Sequence, residues 1–181
     1  MPEFRFLTSG ESHGRGLAAV VEGMVAGLRI SETYIERDLK RRQCGYGRGE
    51  RMKIESDHAE IISGVRHGRT MGSPIGMVIW NRDWENWKDV MAVSGRNTGA
   101  GRITRPRPGH ADLAGVYKYG LRDIRPVLER SSARETATRV AVGAIARRFL
   151  DEFGINIHSR TLSIGDIFAE KTSDEIGRAH V

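Results

Sequence analysis

Two histidines next to glycine-containing turns are the first residues of this chain whose types and positions suit chemistry. His13 lies in the sequence GESHG, and His110 directly follows the sequence RPRPG. The two prolines stiffen the second loop, and its glycine allows the backbone to turn sharply before the histidine. Because imidazole titrates near neutral pH, both side chains suit proton transfer. Taken alone, the GESHG motif fits a solvated loop tip somewhat better than a site.

Arginines are concentrated around the second histidine. Residues 102–136 hold seven arginines and four acidic residues, which gives this stretch a positive field that attracts anions. Guanidinium groups bind carboxylates and phosphates through two parallel hydrogen bonds, so a small polyanion is a suitable ligand.

A capping box within the same stretch predicts a helix over residues 131–153, closed by Gly154. Ser132 is the cap, and Glu135 is expected to reach back to it. The helix start and the side chains beside it predict a phosphate-binding corner, formed by Arg130, Ser131, Ser132 and Arg134. An ordinary capped core helix explains the same spacing equally well.

The elements that must position these groups alternate between strand and helix patterns, which predicts an α+β fold. Alternating or continuous apolar runs predict strands, with 75–80 as a central strand. They lie at 4–8, 17–21, 61–65, 75–80 and 155–164. Caps and apolar spacing predict helices that begin at Ser31, 111 and 171.

For two further patterns we favour an ordinary structural role over a ligand-binding role. Trp80, Trp84 and Trp87 fall at helical spacing, which is more typical of a core or a subunit interface than of a base-stacking surface. The glycine-rich basic stretch at 43–51 could fold over an anion, but its composition favours a solvated loop.

Composition limits the functional classes. The 181 residues fit one domain, and 39% hydrophobic content suffices for a core. A net charge of +6, with 24 arginines and five lysines, suits either a small polyanion or a nucleic acid. A single cysteine excludes an internal disulfide, and no apolar run is long enough for a membrane span or a signal peptide. These features predict a cytoplasmic protein without a membrane partner.

The motifs together resemble the chorismate synthase family. The sequence GESHG, continued by VVEGMV at 20–25, is similar to the first signature of that family. The sequence ERSSARET at 129–136 is similar to the second. The segments RRQCGYGRGERMKIESD, SGVRHGRTMGSPI, NRDWENW and RPRPGHADLAG also resemble family sequence, so the resemblance covers residues from about 4 to 175.

This resemblance implies a lyase of the shikimate pathway and of aromatic amino acid biosynthesis. Its reaction is the anti 1,4-elimination of phosphate from 5-enolpyruvylshikimate 3-phosphate to give chorismate, with reduced FMN as cofactor. NADPH is a candidate reductant of the flavin. The family fold is a sandwich of sheets and helices that assembles as a homotetramer, and no nucleic acid takes part.

Family positions also imply residue roles. His13 and His110 correspond to the two active-site histidines, with His110 assigned to the flavin and His13 to the phosphate. Arg130, Ser131 and Ser132 correspond to the FMN-binding segment. Four arginines are expected to contact the substrate, and the first two of them are alternatively expected to contact NADP: Arg42, Arg48, Arg107 and Arg134.

Family members are about twice as long as this chain, so the sequence predicts the N-terminal part of a single domain over 1–175. Residues 176–181 match what a common sequencing adapter encodes in one reading frame, and we expect a non-native tail there. The fold is then incomplete, and activity of the fragment alone is doubtful.

Two other classes remain open to test. A nucleic-acid-binding module would explain the arginines, but it predicts exposed aromatics among them, and the aromatic content is only 7%. A metal-dependent hydrolase would use histidines, but the six histidines show no paired ligand spacing, so no metal site is predicted.

Overall fold

A computed structural model describes residues 3–44, 55–95 and 101–169. The described residues contain nine strands, five α-helices and one 3₁₀ turn. The strands are β1 (Arg5–Gly10), β2 (Gly16–Glu22), β3 (Ala26–Arg29), β4 (Glu60–Ser63), β5 (Val65–Arg66), β6 (Arg69–Met71), β7 (Ile75–Trp80), β8 (Ser163–Ile164) and β9 (Ile167–Phe168). The helices are α1 (Glu32–Gln43), α2 (Trp84–Trp87), α3 (Asp112–Tyr119), α4 (Arg125–Arg130) and α5 (Thr136–Asp151), with the 3₁₀ turn at Ala133–Glu135. The predicted α+β class is confirmed.

The main sheet is antiparallel, with strand order β1-β2-β7-β4. The register pairs Leu17 with Ile79 and Val21 with Ile75. The predicted strands at 4–8, 17–21 and 75–80 are present, and 75–80 lies inside the sheet as expected. The predicted strand at 61–65 is shorter, because Gly64 turns the backbone with φ +81° after Ser63 and residues 65–66 join a different sheet.

Alternate residues of the sheet are buried on one face, where the two longest helices cover them. α1 packs against α5, and α5 also contacts β1 and β2. The buried apolar cluster combines strand residues with helix residues: Leu17, Ala19, Val21, Ile75, Met77, Ile79, Ile35, Leu39, Ala137, Ala141, Ala144 and Ile145. The opposite face is open, and Leu7, Val20 and Trp80 are exposed there.

α1 begins where its cap residue predicts. The Ser31 hydroxyl accepts a hydrogen bond from the amide of Tyr34 at 3.2 Å, and Glu32 occupies the first turn. Ile35 and Leu39, one turn apart, are fully buried against the sheet. Arg42 lies in the basic last turn of α1, and this end of the helix lies near α5.

The helix predicted over 131–153 is wrong in its first turn. The chain forms α4, a 3₁₀ turn and then α5, and the Ser132 hydroxyl accepts from the amide of Arg134 at 3.3 Å. Glu135 does not reach back to Ser132. Its carboxylate instead accepts from the Thr8 hydroxyl at 2.7 Å and from Arg139 at 2.8 Å. Tertiary partners therefore replace the local capping box. The C-terminal part of the prediction holds, because Gly154 adopts the left-handed conformation beyond the last turn.

The strand predicted over 155–164 is also wrong. Only a two-residue hairpin, β8 paired with β9, forms there, and Ile157, Leu162 and Ile164 are exposed. Alternation predicts a strand only where a neighbouring strand can pair with it, and residues 155–162 have no such neighbour within the described chain.

The tryptophan pattern does not form one helical stripe. Trp80 lies in β7 on the open face of the sheet, whereas Trp84 and Trp87 begin and end the short α2, which has no fully buried residue.

Three predictions concern residues outside the described ranges and are not tested by the structure. They are the helix from 171, the tail at 176–181 and most of the basic stretch at 43–51. Within the described residues, every helix is too short or too polar to cross a membrane.

A buried carboxylate joins the helical layer. Asp57, whose side chain is fully buried, receives Arg42 Nη1 at 3.1 Å on one oxygen and Arg134 Nη1 on the other. Arg42 also donates to the Thr136 hydroxyl and to the Ala133 carbonyl, each at 3.0 Å. The network thus connects the end of α1 to the start of α5.

We expect Asp57→Asn to lower the free energy of unfolding by about 3 kcal/mol, because it leaves two buried cations without their shared anion. Chemical denaturation measures this change. The exposed Arg5–Glu22 pair, with side chains 65% and 57% accessible, offers a matched control. Glu22→Gln should change stability by less than about 1 kcal/mol. Equal effects of the two substitutions would contradict the importance of the buried network.

Candidate functional site

The loop that carries His13 is held in one conformation by its backbone. Gly10 has φ +102°, and an added Cβ would lie 2.4 Å from the Gly16 carbonyl oxygen, so only glycine fits. The buried Asn81 amide donates to three loop carbonyls, those of Glu11, Ser12 and Gly14, at 3.2, 3.2 and 2.7 Å. The loop is therefore fixed from inside, in contrast to a solvated hairpin tip.

Glu129 of α4 holds the imidazole of His13. His13 Nδ1 lies 2.9 and 3.0 Å from the two carboxylate oxygens, and the His13 amide donates to one of them at 2.7 Å. Burial raises the pKa of Glu129, but the hydrogen bonds from His13 and the positive charges of His13 and Arg125 together lower it by more, so its pKa lies below the usual value. An ionised Glu129 favours the proton on Nδ1 and leaves Nε2 as the ring nitrogen available to a ligand.

Trp87 packs on the same imidazole. The two ring centroids are 3.9 Å apart with planes inclined by 28°, and the indole Nε1 donates to Asp83 at 3.1 Å. The Arg125 guanidinium lies 5.9 Å from the Trp87 ring. The sequence prediction of a core or interface role missed this contact. The proximity of α2 to the GESHG loop depends on the fold, and spacing within 80–87 carries no signal for it.

The second histidine sits in a compact ion-pair cluster. Asp112 is fully buried and accepts from the Arg107 amide at 2.8 Å, from its Nε at 2.9 Å and from its Nη2 at 3.0 Å. His110 Nδ1 lies 3.1 Å from Asp112 and 3.0 Å from Arg107 Nη2. Nδ1 donates to the carboxylate when protonated and accepts from the guanidinium when it is not. In either state Nε2 is the nitrogen directed to other partners.

The ion pair between Arg107 and Asp112 shifts the pKa values of both groups. The side-chain hydrogen bond from Arg107 lowers the pKa of Asp112 from 3.8 to about 2, and the same bond raises the pKa of Arg107. The negative charge of Glu129 also contributes to the raised pKa of Arg107. α3, which begins at Asp112, packs against α4, which carries Glu129, so the two histidine clusters involve neighbouring helices.

The predicted phosphate corner differs from its sequence description. Ser131 closes α4, and both its amide and its hydroxyl donate to the Val127 carbonyl, so it presents no free amide. The Ser132 hydroxyl hydrogen bonds to Ser12 at 3.0 Å, beside His13. Arg130 is half-exposed and donates to the Thr8 hydroxyl at 2.8 Å. Among the residues of the predicted phosphate-binding corner, Arg130 is the one whose positively charged side chain faces solvent.

The other predicted ligand arginines have different surroundings. Arg134 is buried, donates from Nε to Asn81 at 2.9 Å and pairs with Asp57, so its environment favours a role in holding the site wall. Arg42 is only 10% accessible and is engaged by the same network. Their direct contact with substrate stays a prediction that this burial disfavours. Arg48 lies outside the described residues.

Comparison with known proteins agrees with this arrangement of motifs. The family model described as chorismate synthase matches residues 4–180. The chain belongs to the chorismate synthase family. The chorismate synthase of Aquifex aeolicus (strain VF5) is 60% identical over 172 residues, which are 94% of this chain and 43% of that protein. The chorismate synthase of Geobacter sulfurreducens (strain ATCC 51573 / DSM 12127 / PCA) is 57% identical over 175 residues, 96% of this chain and 44% of that protein.

A solved structure gives the same result for the fold. A crystal structure of chorismate synthase superposes with a TM-score of 0.71 and 47% identity, over 95% of this chain and 41% of that one. The chain therefore spans less than half the length of these members of the chorismate synthase family.

A mostly apolar cleft lies between α3 and α4, the helices that carry Asp112 and Glu129, in this chorismate synthase family chain. Its volume is about 640 Å³. Ala114, Gly115 and Val127 form its walls, and Arg130 and Ser131 lie at one side. The helices approach closely, since a Cβ on Gly115 would meet Val127 at 2.5 Å. Within the described residues, no group of three or more potential metal ligands is assembled.

The ionised Asp112 should stabilise the fold in a pH-dependent way. Its pKa is lowered, so its contribution is fully present above 3.8 and is lost as the pH falls toward about 2. We expect Asp112→Asn to cost about 2 kcal/mol at neutral pH, because three hydrogen bonds to a charged acceptor are weakened. The difference from wild type should shrink below pH 3.8. Urea unfolding between pH 3 and 7 measures both effects.

Asp89→Asn is the control for that experiment, since Asp89 is exposed. It should leave stability unchanged within about 0.5 kcal/mol at every pH. A loss for Asp112→Asn that stays constant from pH 7 to pH 3 would show that geometry, and not charge, sets the role of this carboxylate.

Proposed function

We propose that this chain is the N-terminal part of a lyase that converts 5-enolpyruvylshikimate 3-phosphate into chorismate and phosphate. The observation that carries the proposal is the pairing of each motif histidine with a carboxylate in a chain of the chorismate synthase family. The elimination breaks the bond between ring carbon C3 and the phosphate ester oxygen, removes the hydrogen at C6 and forms the second ring double bond. Charge develops on the leaving phosphate, so proton donors and cations near it accelerate the reaction.

His13 is the group that we assign to the leaving phosphate. Glu129 keeps the Nδ1 side occupied, and Trp87 packs on the ring face, so the imidazole can present Nε2 without reorientation. When Nε2 carries a proton, the ring is an imidazolium stabilised by the adjacent carboxylate, and it can donate that proton to phosphate oxygen. Holding the donor in place before the reaction lowers the entropic part of the barrier.

His110 is the group that we assign to the flavin. Asp112 and Arg107 fix its Nδ1, which leaves Nε2 to hydrogen bond with a ring nitrogen or oxygen of the cofactor. The Arg107 guanidinium is 46% accessible, so it can also contribute positive charge to a bound carboxylate or phosphate.

The residues present fit FMN through the cleft between α3 and α4. Its apolar walls suit a planar ring, and the half-exposed guanidinium of Arg130 suits a phosphate. Arg125 Nε is buried without a hydrogen-bond partner among the described residues, which supports a polar ligand near α4. Reduced FMN, when bound, would lend the substrate an electron to ease departure of the allylic phosphate and would recover it after loss of the C6 hydrogen, so that the reaction has no net redox change. NADPH as reductant, a homotetramer and a cytoplasmic location belong to the same proposal, on the basis of the family resemblance.

Anaerobic turnover tests the proposal. The substrate and chemically reduced FMN are given to the 181-residue chain and to a version extended with the rest of the same gene. We expect chorismate only from the extended protein, because this chain spans about 43% of its relatives' length. Turnover by the short chain would show a self-contained site. Failure of both proteins, when each is folded by circular dichroism, would contradict the assigned reaction.

Glu129→Gln tests the orientation of His13 in the extended protein. We expect kcat to fall about tenfold to a hundredfold with KM nearly unchanged, because Glu129 acts on the imidazole and not on the substrate. Glu36→Gln is the control, since this glutamate of α1 forms an ion pair with Lys40 within the same helix. It should change kcat by less than about threefold. A rise in KM alone for Glu129→Gln would place the carboxylate in substrate binding instead.

A further inference from the structure

Three arginines form a row across the small sheet, away from the histidine clusters. This sheet has strand order β3-β6-β5. Its register pairs Arg29 of β3 with Arg69 of β6, and Arg69 in turn pairs with Arg66 of β5. Directly paired residues of neighbouring strands project on the same face of a sheet. The three guanidinium groups therefore share one face.

Such a row is unfavourable unless something neutralises it. Like charges directly opposite on neighbouring strands destabilise a sheet. Arg69 Nη1 donates to the Gly27 carbonyl, which is uncharged. Among the described residues, neither Arg29 nor Arg66 forms an ion pair, and both are exposed. An anion held between Arg29 and Arg69 would remove the repulsion.

The structure provides a place for that anion. Arg29, Arg69 and Arg148 of α5 line two adjoining clefts of about 550 and 480 Å³. Arg148 pairs with Glu152, which also lines the first cleft, so Arg29 and Arg69 are the two cations of the clefts without an ion pair among the described residues. The first cleft has an apolar wall beside these cations, formed by Leu28, Phe149 and Phe153. The volumes lie in the range of small-molecule sites.

The turn beside the second cleft is strained. His67, at the tip between β5 and β6, has φ +49°, and the following Gly68 has φ +71°. Asparagine, aspartate or glycine is usual in such a two-residue turn, so histidine there has a conformational cost. His67 lines the second cleft with Ser31 and Tyr34. A hydrogen-bonding ring is thus presented next to Arg29 and Arg69.

We propose that the arginine groove, defined by Arg29, Arg69 and Arg148, binds a small organic anion, a phosphate or carboxylate carried on an apolar or aromatic body. The guanidinium groups of Arg29 and Arg69 bind the anionic head, and Phe149 and Phe153 contact the body. None of these residues contributes to the histidine clusters, and the proposal does not depend on the proposed lyase function.

Binding of phenyl phosphate, inorganic phosphate and phenol to the 181-residue chain tests the proposal, with ionic strength held constant by sodium chloride. Isothermal titration calorimetry and thermal unfolding are the two measurements. We expect phenyl phosphate to bind at least about tenfold more tightly than inorganic phosphate, and phenol to bind undetectably. Equal affinity for the two phosphates would overturn the contribution of the apolar wall, and binding of phenol would overturn recognition of the anion.

The row supplies a matched pair of variants. Arg29→Gln and Arg66→Gln each remove one like-charge pair with Arg69, but only Arg29 lines the clefts. Both variants should therefore raise the Tm at low ionic strength without ligand, which also shows that they fold. Arg29→Gln should weaken phenyl phosphate binding at least about tenfold, and Arg66→Gln should change it less than about twofold. Equal loss of binding in both variants, or no loss in either, would overturn the site.

Discussion

The buried carboxylate of Asp57 is the interaction on which the helical layer and the site both depend. Its two oxygens receive Arg42 from the end of α1 and Arg134 from the turn before α5. A charge with no solvent contact is tolerated only when it is paired and hydrogen bonded. Arg134 also donates to Asn81, which holds the GESHG loop by three carbonyls. The position of His13 is thus connected to the packing of the two longest helices.

Both histidine clusters use the same physical arrangement, reached by different routes. In each, a carboxylate lies against Nδ1, so the ring orientation is set and Nε2 is left for other partners. For His110 the carboxylate is two residues away, at the first residue of α3, which follows the loop stiffened by prolines. For His13 it is Glu129, 116 residues further along the chain. The His110 cluster is local, whereas the His13 cluster exists only when α4 packs against the loop between β1 and β2.

The arginines of the chain fall into separate physical classes. Arg42 and Arg134 are buried and neutralised, and they act within the fold. Arg107 is partly accessible and bound to a buried carboxylate beside a histidine. Arg29 and Arg69 line an open groove with little compensating charge. A high arginine content indicates affinity for anions, but burial and ion pairing decide which guanidinium groups remain able to bind them.

Much of the local structure was predictable from the sequence, because its causes lie within a few residues. The Ser31 cap, the apolar spacing of α1, the central strand at 75–80 and the positive φ of Gly154 follow from local chemistry. The two histidine loops were recognised for the same reason, since glycine and proline restrict the backbone wherever they occur.

The tertiary structure decided the partners of those elements. Glu135 bonds to Thr8 instead of closing a capping box, and residues 155–162 stay unpaired because no strand of the described chain lies beside them. The stacking of Trp87 on His13 and the burial of Arg134 join residues more than 50 positions apart. The sequence by itself determined which side chains can carry charge, cap a helix or turn the backbone. Only the fold determined which of them meet, because hydrogen bonds and ion pairs act over a few ångströms in space, whatever the distance along the chain.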